Sequence, residues 1–221
     1  MDLVIFDLDG TLIDSKLDLA HSVNATRAWL GLDPLDNELV YSYVGNGAPV
    51  LIRRALGPEF SEEEVAKALE YFLEYYREHM LDSTTLYPGV QECLDRLHGE
   101  GVLLAVLTNK PVRFSSAILE GLGVRDRFFR VYGGNSFEHK KPHPVGVAKL
   151  LEESGVSRER ALLVGDSAVD VRTARNAGIR CCGVTYGFQP ETFADDPPDY
   201  LVDRPAELAE LVIQERRGVR S

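Results

Sequence analysis

Cysteine is scarce in this sequence and unpatterned. Cys93, Cys181 and Cys182 are the only three, with no CxxC spacing and no even set from which a disulfide framework could be built. That excludes a disulfide-stapled fold and points to buried thiols in a reducing compartment. Positive charge is also short: 24 Lys and Arg face 35 Asp and Glu, a formal net charge of -11. Nucleic acid and anionic membrane surfaces both need a basic patch, so neither is expected as a partner. Long hydrophobic runs are missing too, since no stretch nears the ~20 apolar residues needed to cross a bilayer. Asp2 and Asp7 interrupt the first apolar residues, where a secretory leader would carry a basic segment and then an unbroken apolar one. The expected location is cytoplasmic. An acidic chain that acts on an anion needs a local cation to attract it, a lysine or a metal.

What is present is enough for a core: 221 residues, 44% of them hydrophobic. Short apolar runs recur at Leu3 to Phe6, Val102 to Leu107, Phe129 to Tyr132, Ala161 to Val164 and Cys181 to Thr185. Helical spacing fills the gaps between the later runs, over Val90 to Leu97, Phe114 to Leu122, Val145 to Leu151 and Val169 to Ala177. This alternation predicts an α/β fold, a parallel sheet with crossover helices. About ninety residues separate the first run from the second, far more than one crossover helix requires. An inserted domain is therefore expected. The insert reads as helical over Leu17 to Leu30, Glu38 to Leu56 and Ser61 to His79, with Ser61 to Glu64 as a capping-box start. The expected division is a core domain of residues 1–14 and 86–221 and a helical cap domain of residues 15–85.

The chemistry is concentrated at strand ends, where ligands bind in open parallel sheets. The first run leads into Asp7-Leu8-Asp9-Gly10-Thr11, and two carboxylates two residues apart at a strand end point the same way. Such a pair repels unless a cation lies between or one member carries a proton. Asp9-Gly10 also reads as an ordinary turn ending a strand. The second run ends in Thr108-Asn109, Lys140-Lys141-Pro142 follows the third, and the fourth ends in Gly165-Asp166-Ser167, with Asp170 one helical turn on. Hydroxyl, amide, ammonium and carboxylates converge, the set that phosphoryl transfer to a carboxylate requires. Asp170 alone fits an acid at a helix start. Several carboxylates together call for a hard divalent cation, and oxygen ligands suit magnesium. Lys110 and Lys140 read as solvated surface lysines.

In order and position, Asp7-Leu8-Asp9-Gly10-Thr11, Thr108-Asn109, Lys141-Pro142, and Gly165-Asp166 with Asp170 resemble the four motifs of the haloacid dehalogenase superfamily. Gly45-Asn46-Gly47-Ala48, Thr108-Asn109-Lys110-Pro111, Lys140 to Pro144 and Thr185-Tyr186-Gly187 are similar to segments of its bacterial phosphoglycolate phosphatases. The resemblance implies a Rossmann-like three-layer sandwich carrying a cap, and a Mg2+-dependent phosphomonoesterase acting on a small phosphorylated metabolite. It implies Asp7 as nucleophile, Asp9 as acid and base, Thr108 and Asn109 as phosphate-binding groups, and Lys141 as charge neutraliser. Asp7, the Asp9 backbone carbonyl and Asp166 would ligate the metal, with Asp170 behind them or orienting Lys141. An aspartate at position 9 separates the chain from the carbon-halogen hydrolases of the superfamily, which lack it. Val169 departs from the Asn that many phosphoglycolate phosphatases carry before Asp170. A sugar-phosphate mutase, a pyrophosphatase or sugar phosphatase, and a non-catalytic phosphate-binding domain are the competing readings. Selectivity for a carboxylate-bearing substrate is expected from the cap, through the amides of Gly45, Asn46 and Gly47 or through Arg27, Arg53 or Arg54. The oligomeric state is not legible.

Overall fold

Leu3, Val4, Ile5 and Phe6 are each at most 2% exposed, so the strand they form has to lie inside a sheet covered on both faces. The computed structural model, which describes residues 1–218, has it there. Along the chain, β1 (Leu3–Phe6) and β2 (Ile13–Asp14) precede α1 (Lys16–Trp29), α2 (Asn37–Tyr41), α3 (Ala48–Leu56) and α4 (Glu62–His79). Then come β3 (Thr85–Leu86), α5 (Val90–Gly99), β4 (Leu103–Leu107), α6 (Val112–Gly121), β5 (Arg130–Tyr132) and α7 (Val145–Ser154). The rest is β6 (Ala161–Gly165), α8 (Ala168–Ala177), β7 (Arg180–Val184), β8 (Tyr200–Val202) and α9 (Pro205–Gly218). Two compact units result, Asp14–Thr85 and the remainder of the chain on either side of it.

The larger unit is a Rossmann-like α/β fold whose six parallel strands run in the order β5-β4-β1-β6-β7-β8. On one face of the sheet Leu3, Ile5, Leu107, Leu163 and Cys181 pack with Val147 and Leu150 of α7 and Val171 and Ala174 of α8. The alternation of side chains sends Val4 and Phe6 to the other face, where the Phe6 ring meets Phe128 edge-on at 6.3 Å. Register positions the chemistry. Phe6 lies beside Val106 on one side and Val164 on the other, so the loops leaving β1, β4 and β6 start at the same edge of the sheet.

The smaller unit is helical. Ser61 caps α4 reciprocally with Glu64: Ser61 N–H donates to the Glu64 carboxylate at 2.8 Å and Glu64 N–H to Ser61 Oγ at 3.3 Å. Val65, Ala68, Phe72 and Tyr76 form the buried stripe of α4, which packs on α1. Asp18, 1% exposed, accepts from Ser83 N–H, Thr84 N–H and Thr84 Oγ1 at 2.7 to 3.0 Å, tying the start of α1 to the end of the unit.

Two expectations differ from the fold. The periodicity over Glu38–Leu56 predicts one helix, but the chain breaks between α2 and α3 because Gly45 and Gly47 take φ of 108° and 87°, outside helical geometry. The edge strand β8 and α9 lie beyond the elements that the sequence pattern predicts. Three residues are too few for periodicity to register in β8, whereas Leu208, Ala209, Val212 and Ile213 of α9 do repeat at helical spacing.

Candidate active site

The loop after β1 closes at once. Gly10 N–H donates to the Ile13 carbonyl at 3.0 Å and Leu12 N–H to the Leu8 carbonyl at 2.9 Å, so Asp9-Gly10 is a turn as well as a carrier of a carboxylate. Gly10 is required twice over. Its φ is 78°, and a Cβ there would lie 2.1 Å from Asp166 Oδ2.

Asp7 is 9% exposed, and its Oδ1 accepts from Leu8 N–H at 2.7 Å while lying 2.9 Å from Lys141 Nζ. Lys141 Nζ also donates to Asp170 Oδ1 at 2.7 Å. The other Asp170 oxygen accepts from Ser167 Oγ at 2.9 Å and Ser167 N–H at 3.3 Å, at the first turn of α8. Both Asp170 oxygens are thus occupied, and the carboxylate acts as a bracket for the lysine. Asp166, 4% exposed, receives Phe188 N–H on Oδ2 at 2.6 Å. Carboxylate oxygens of Asp7, Asp166 and Asp170 lie within 4.8 Å of one another.

Burial dominates the electrostatics. It pushes Asp7 up to about 6, with Lys141 pulling the other way and Asp170 adding to the rise. Asp166 is raised well above the usual carboxylate range by burial first and then by Asp170 and Asp7. For Lys141, burial opposes the charge, but Asp170 and Asp7 more than offset it and its pKa is raised. Three buried carboxylates against one buried ammonium leave the cluster short of positive charge.

Asp9 stands apart from this cluster. Its two carboxylate oxygens face Lys110 Nζ at 3.0 and 3.2 Å, and the side chains of the pair are 14% and 5% exposed. Lys110 is therefore not the solvated lysine expected from its sequence position, whereas Lys140 is exposed as expected. The missed signal was the carboxylate pair itself: two acids needed two counter-charges, and Lys141 is only one.

Thr108 is 3% exposed at the end of β4, where its N–H donates to the Tyr132 carbonyl at 3.0 Å and its Oγ1 accepts from Lys110 N–H at 3.3 Å. Asn109 Nδ2 donates to the Lys141 carbonyl at 3.2 Å, joining the loops after β4 and β5. Val169 is 9% exposed on α8, and its carbonyl accepts from Thr173 Oγ1 at 2.6 Å. Tyr186 places its hydroxyl 3.2 Å from the Thr11 carbonyl, to which it donates. In the helical unit, Gly45, Asn46 and Gly47 form the half-buried loop leading into α3. Arg27 binds the Asp33 and Ala55 carbonyls, and Arg53 binds the Phe60 carbonyl and Glu62, all within that unit.

Comparison with known proteins identifies the family. Residues 4–184 match the family model of the haloacid dehalogenase-like hydrolases. The chain is 42% identical over 219 residues to a phosphoglycolate phosphatase of Vibrio vulnificus (strain CMCP6), covering 96% of each. Its fold matches the crystal structure of a predicted phosphoglycolate phosphatase from Haemophilus somnus 129pt with a TM-score of 0.90, 36% identity, and coverage of 96% of this chain and 97% of that one. It also matches a mutant of CbbY from Rhodobacter sphaeroides, solved with xylulose-1,5-bisphosphate, with a TM-score of 0.79, 27% identity, and coverage of 94% and 96%. The chain belongs to the haloacid dehalogenase-like hydrolases. Within that family it is an enzyme of the phosphatase type.

Proposed function

We propose that this phosphatase hydrolyses 2-phosphoglycolate to glycolate and phosphate, using magnesium and a phosphoaspartate formed on Asp7. The observation that carries the reading is the separation of two carboxylates two residues apart. Asp7 is buried against Lys141 and two further acids, while Asp9 is held by a lysine of its own. One acid is thereby suited to attack phosphorus and the other to move protons.

The cluster fits a hard divalent cation. It offers only oxygen donors, it is short of positive charge, and the absent Cβ of Gly10 keeps clear the space beside Asp166. Asp7, the Asp9 carbonyl and Asp166 would hold magnesium, with Asp170 bracketing Lys141 rather than ligating. Bound there, the ion supplies positive charge to the phosphoryl oxygens.

The chain's own groups account for the remaining steps. Thr108 Oγ1 and the backbone beside Asn109 hold the phosphoryl group, and Lys141 neutralises charge on both Asp7 and the phosphate. Asp7 attacks phosphorus, and Asp9 protonates the departing glycolate oxygen. Asp9 then takes a proton from water as that water hydrolyses the phosphoaspartate. The loop of Gly45, Asn46 and Gly47 is proposed as the part of the cap that meets the substrate. The reading carries with it a cytoplasmic setting, in which the three buried cysteines remain thiols. Among the described residues no helix is long and apolar enough to cross a membrane.

A sugar-phosphate substrate is the second reading, favoured by the likeness to CbbY with its bound sugar bisphosphate. Steady-state turnover of phosphoglycolate, hexose phosphates, xylulose-1,5-bisphosphate, pyrophosphate and phenyl phosphate with Mg2+ separates the two. Phosphoglycolate is expected to have the highest kcat/KM. A higher value for a sugar phosphate would replace the substrate assignment.

A further inference from the structure

Phosphoglycolate carries a second anion, the carboxylate, one methylene away from its ester oxygen. A phosphatase that selects it needs a donor or cation outside the groups that clamp the phosphate. Lys141 is taken by Asp7 and Asp170. Arg27, Arg53 and Arg54 of the helical unit are engaged by carbonyls and a glutamate of their own unit. Lys110 is a cation in the same unit as the catalytic loop. Its ammonium is buried and lies within hydrogen-bond distance of both oxygens of Asp9.

We propose that Lys110 is the specificity-determining cation for the substrate carboxylate, and that it passes from Asp9 to that carboxylate when substrate binds. This rests on the phosphoglycolate reading above. The distance fits: the ester oxygen must come within one hydrogen bond of Asp9 to be protonated, and Lys110 Nζ is one further hydrogen bond away, so ammonium and ester oxygen are within roughly 6 Å. A carboxylate one methylene from that oxygen falls inside this reach. The exchange also frees the acid. Both Asp9 oxygens are engaged by the ammonium, and the incoming carboxylate gives Lys110 another partner, leaving an Asp9 oxygen to turn toward the leaving group. A phosphate ester that lacks the carboxylate cannot make this exchange, so selectivity and release of the acid come from one contact.

The test pairs substrates and inert ligands that differ only by the carboxylate: phosphoglycolate against ethyl phosphate for kcat/KM, and 3-phosphonopropionate against propylphosphonate for Kd by calorimetry, with Mg2+ throughout. Lys110→Met and Lys110→Gln are compared with the parent, and thermal melting establishes that each is folded. A charge-assisted hydrogen bond is worth roughly 10- to 100-fold in binding, so both variants should lose that factor for 3-phosphonopropionate and keep propylphosphonate unchanged. The kcat/KM ratio of phosphoglycolate to ethyl phosphate should collapse by the same factor. If the parent favours phosphoglycolate and the variants keep the ratio and the Kd difference, Lys110 only positions Asp9 and the inference fails while the substrate reading stands. If the parent itself shows no preference for the carboxylate in either pair, both fail. Because binding is measured directly, a variant too slow to assay still decides the question.

Discussion

The two units handle buried charge in opposite ways. In the sheet unit Asp7, Lys110, Lys141, Asp166 and Asp170 all lie below 10% exposure at one edge of the sheet, crowded into two linked sets. In the helical unit the charged residue buried to that degree among the described residues is Asp18, and three donors satisfy one of its oxygens. A carboxylate that accepts several hydrogen bonds is a structural clamp. Carboxylates that face one another with too little positive charge hold free energy in reserve for a ligand. The comparison assigns the chemistry to the strand ends and the fastening to the helical unit.

Replacing Asp7 is the severest way to test this division. Asp7→Asn should abolish turnover while leaving the melting temperature near that of the parent or above it, because the amide is nearly isosteric, not a nucleophile, and relieves a crowded charge. Turnover within tenfold of the parent, with deamidation excluded by mass spectrometry, would remove Asp7 from its role. Asp9→Asn should fall by roughly 10² to 10⁴ in kcat for a poor alkoxide leaving group, the usual worth of general acid-base catalysis. Phenyl phosphate should suffer less in the first step, since its leaving group needs less protonation. Equal loss on both, measured by single-turnover release of the leaving group, would argue that Asp9 serves only to hold the loop.

The counterpart in the helical unit is Asp18→Ala. It strands the donors at Ser83 and Thr84, and a buried unsatisfied group costs about 1 to 3 kcal/mol, so urea denaturation should show a loss of that order. Mg2+ affinity, read by calorimetry, should not change. A weakened metal site in that variant would mean that the two units share the work the comparison separates.

The smallest effect is a pH dependence. Asp7 has a folded pKa of about 6, above its ordinary 3.8, so its proton is bound more tightly in the folded state. The stability this contributes is fully present below about pH 4 and is lost as pH rises through about 6, and Asp166 acts in the same direction. Magnesium binds the ionised carboxylates, so it should raise the melting temperature more at pH 7.5 than at pH 5. Asp7→Asn should flatten that difference. An equal shift at the two pH values in the parent would contradict a carboxylate metal site.

Much of the molecule could be read before it was folded, because the relevant signals are local. Leu3 to Phe6 declare a strand buried on both faces by having no polar side, and Ser61 with Glu64 declares a helix start by reciprocal capping. Strand ends then pick out Asp7, Asp9, Thr108 and Asp166, and the stretch after the third apolar run holds Lys141, with no knowledge of distance. The break between α2 and α3 is carried by Gly45 and Gly47, while the apolar spacing on either side fits one continuous helix.

What the sequence by itself determined is therefore the inventory: an α/β core, a helical insert, and a set of acids, a hydroxyl and lysines at strand ends. Which charge meets which was decided by tertiary structure alone. Lys110 and Asp9 are 101 residues apart, and Lys141 and Asp170 are 29 apart. Nothing in periodicity links such positions, because each pair exists only through the register of β1 with β4 and β6 and of β4 with β5, which brings separate loops to one edge. Burial follows from the same cause: a lysine in a polar loop reads as solvated until neighbouring loops close around it, and only the folded chain reveals which carboxylate it faces.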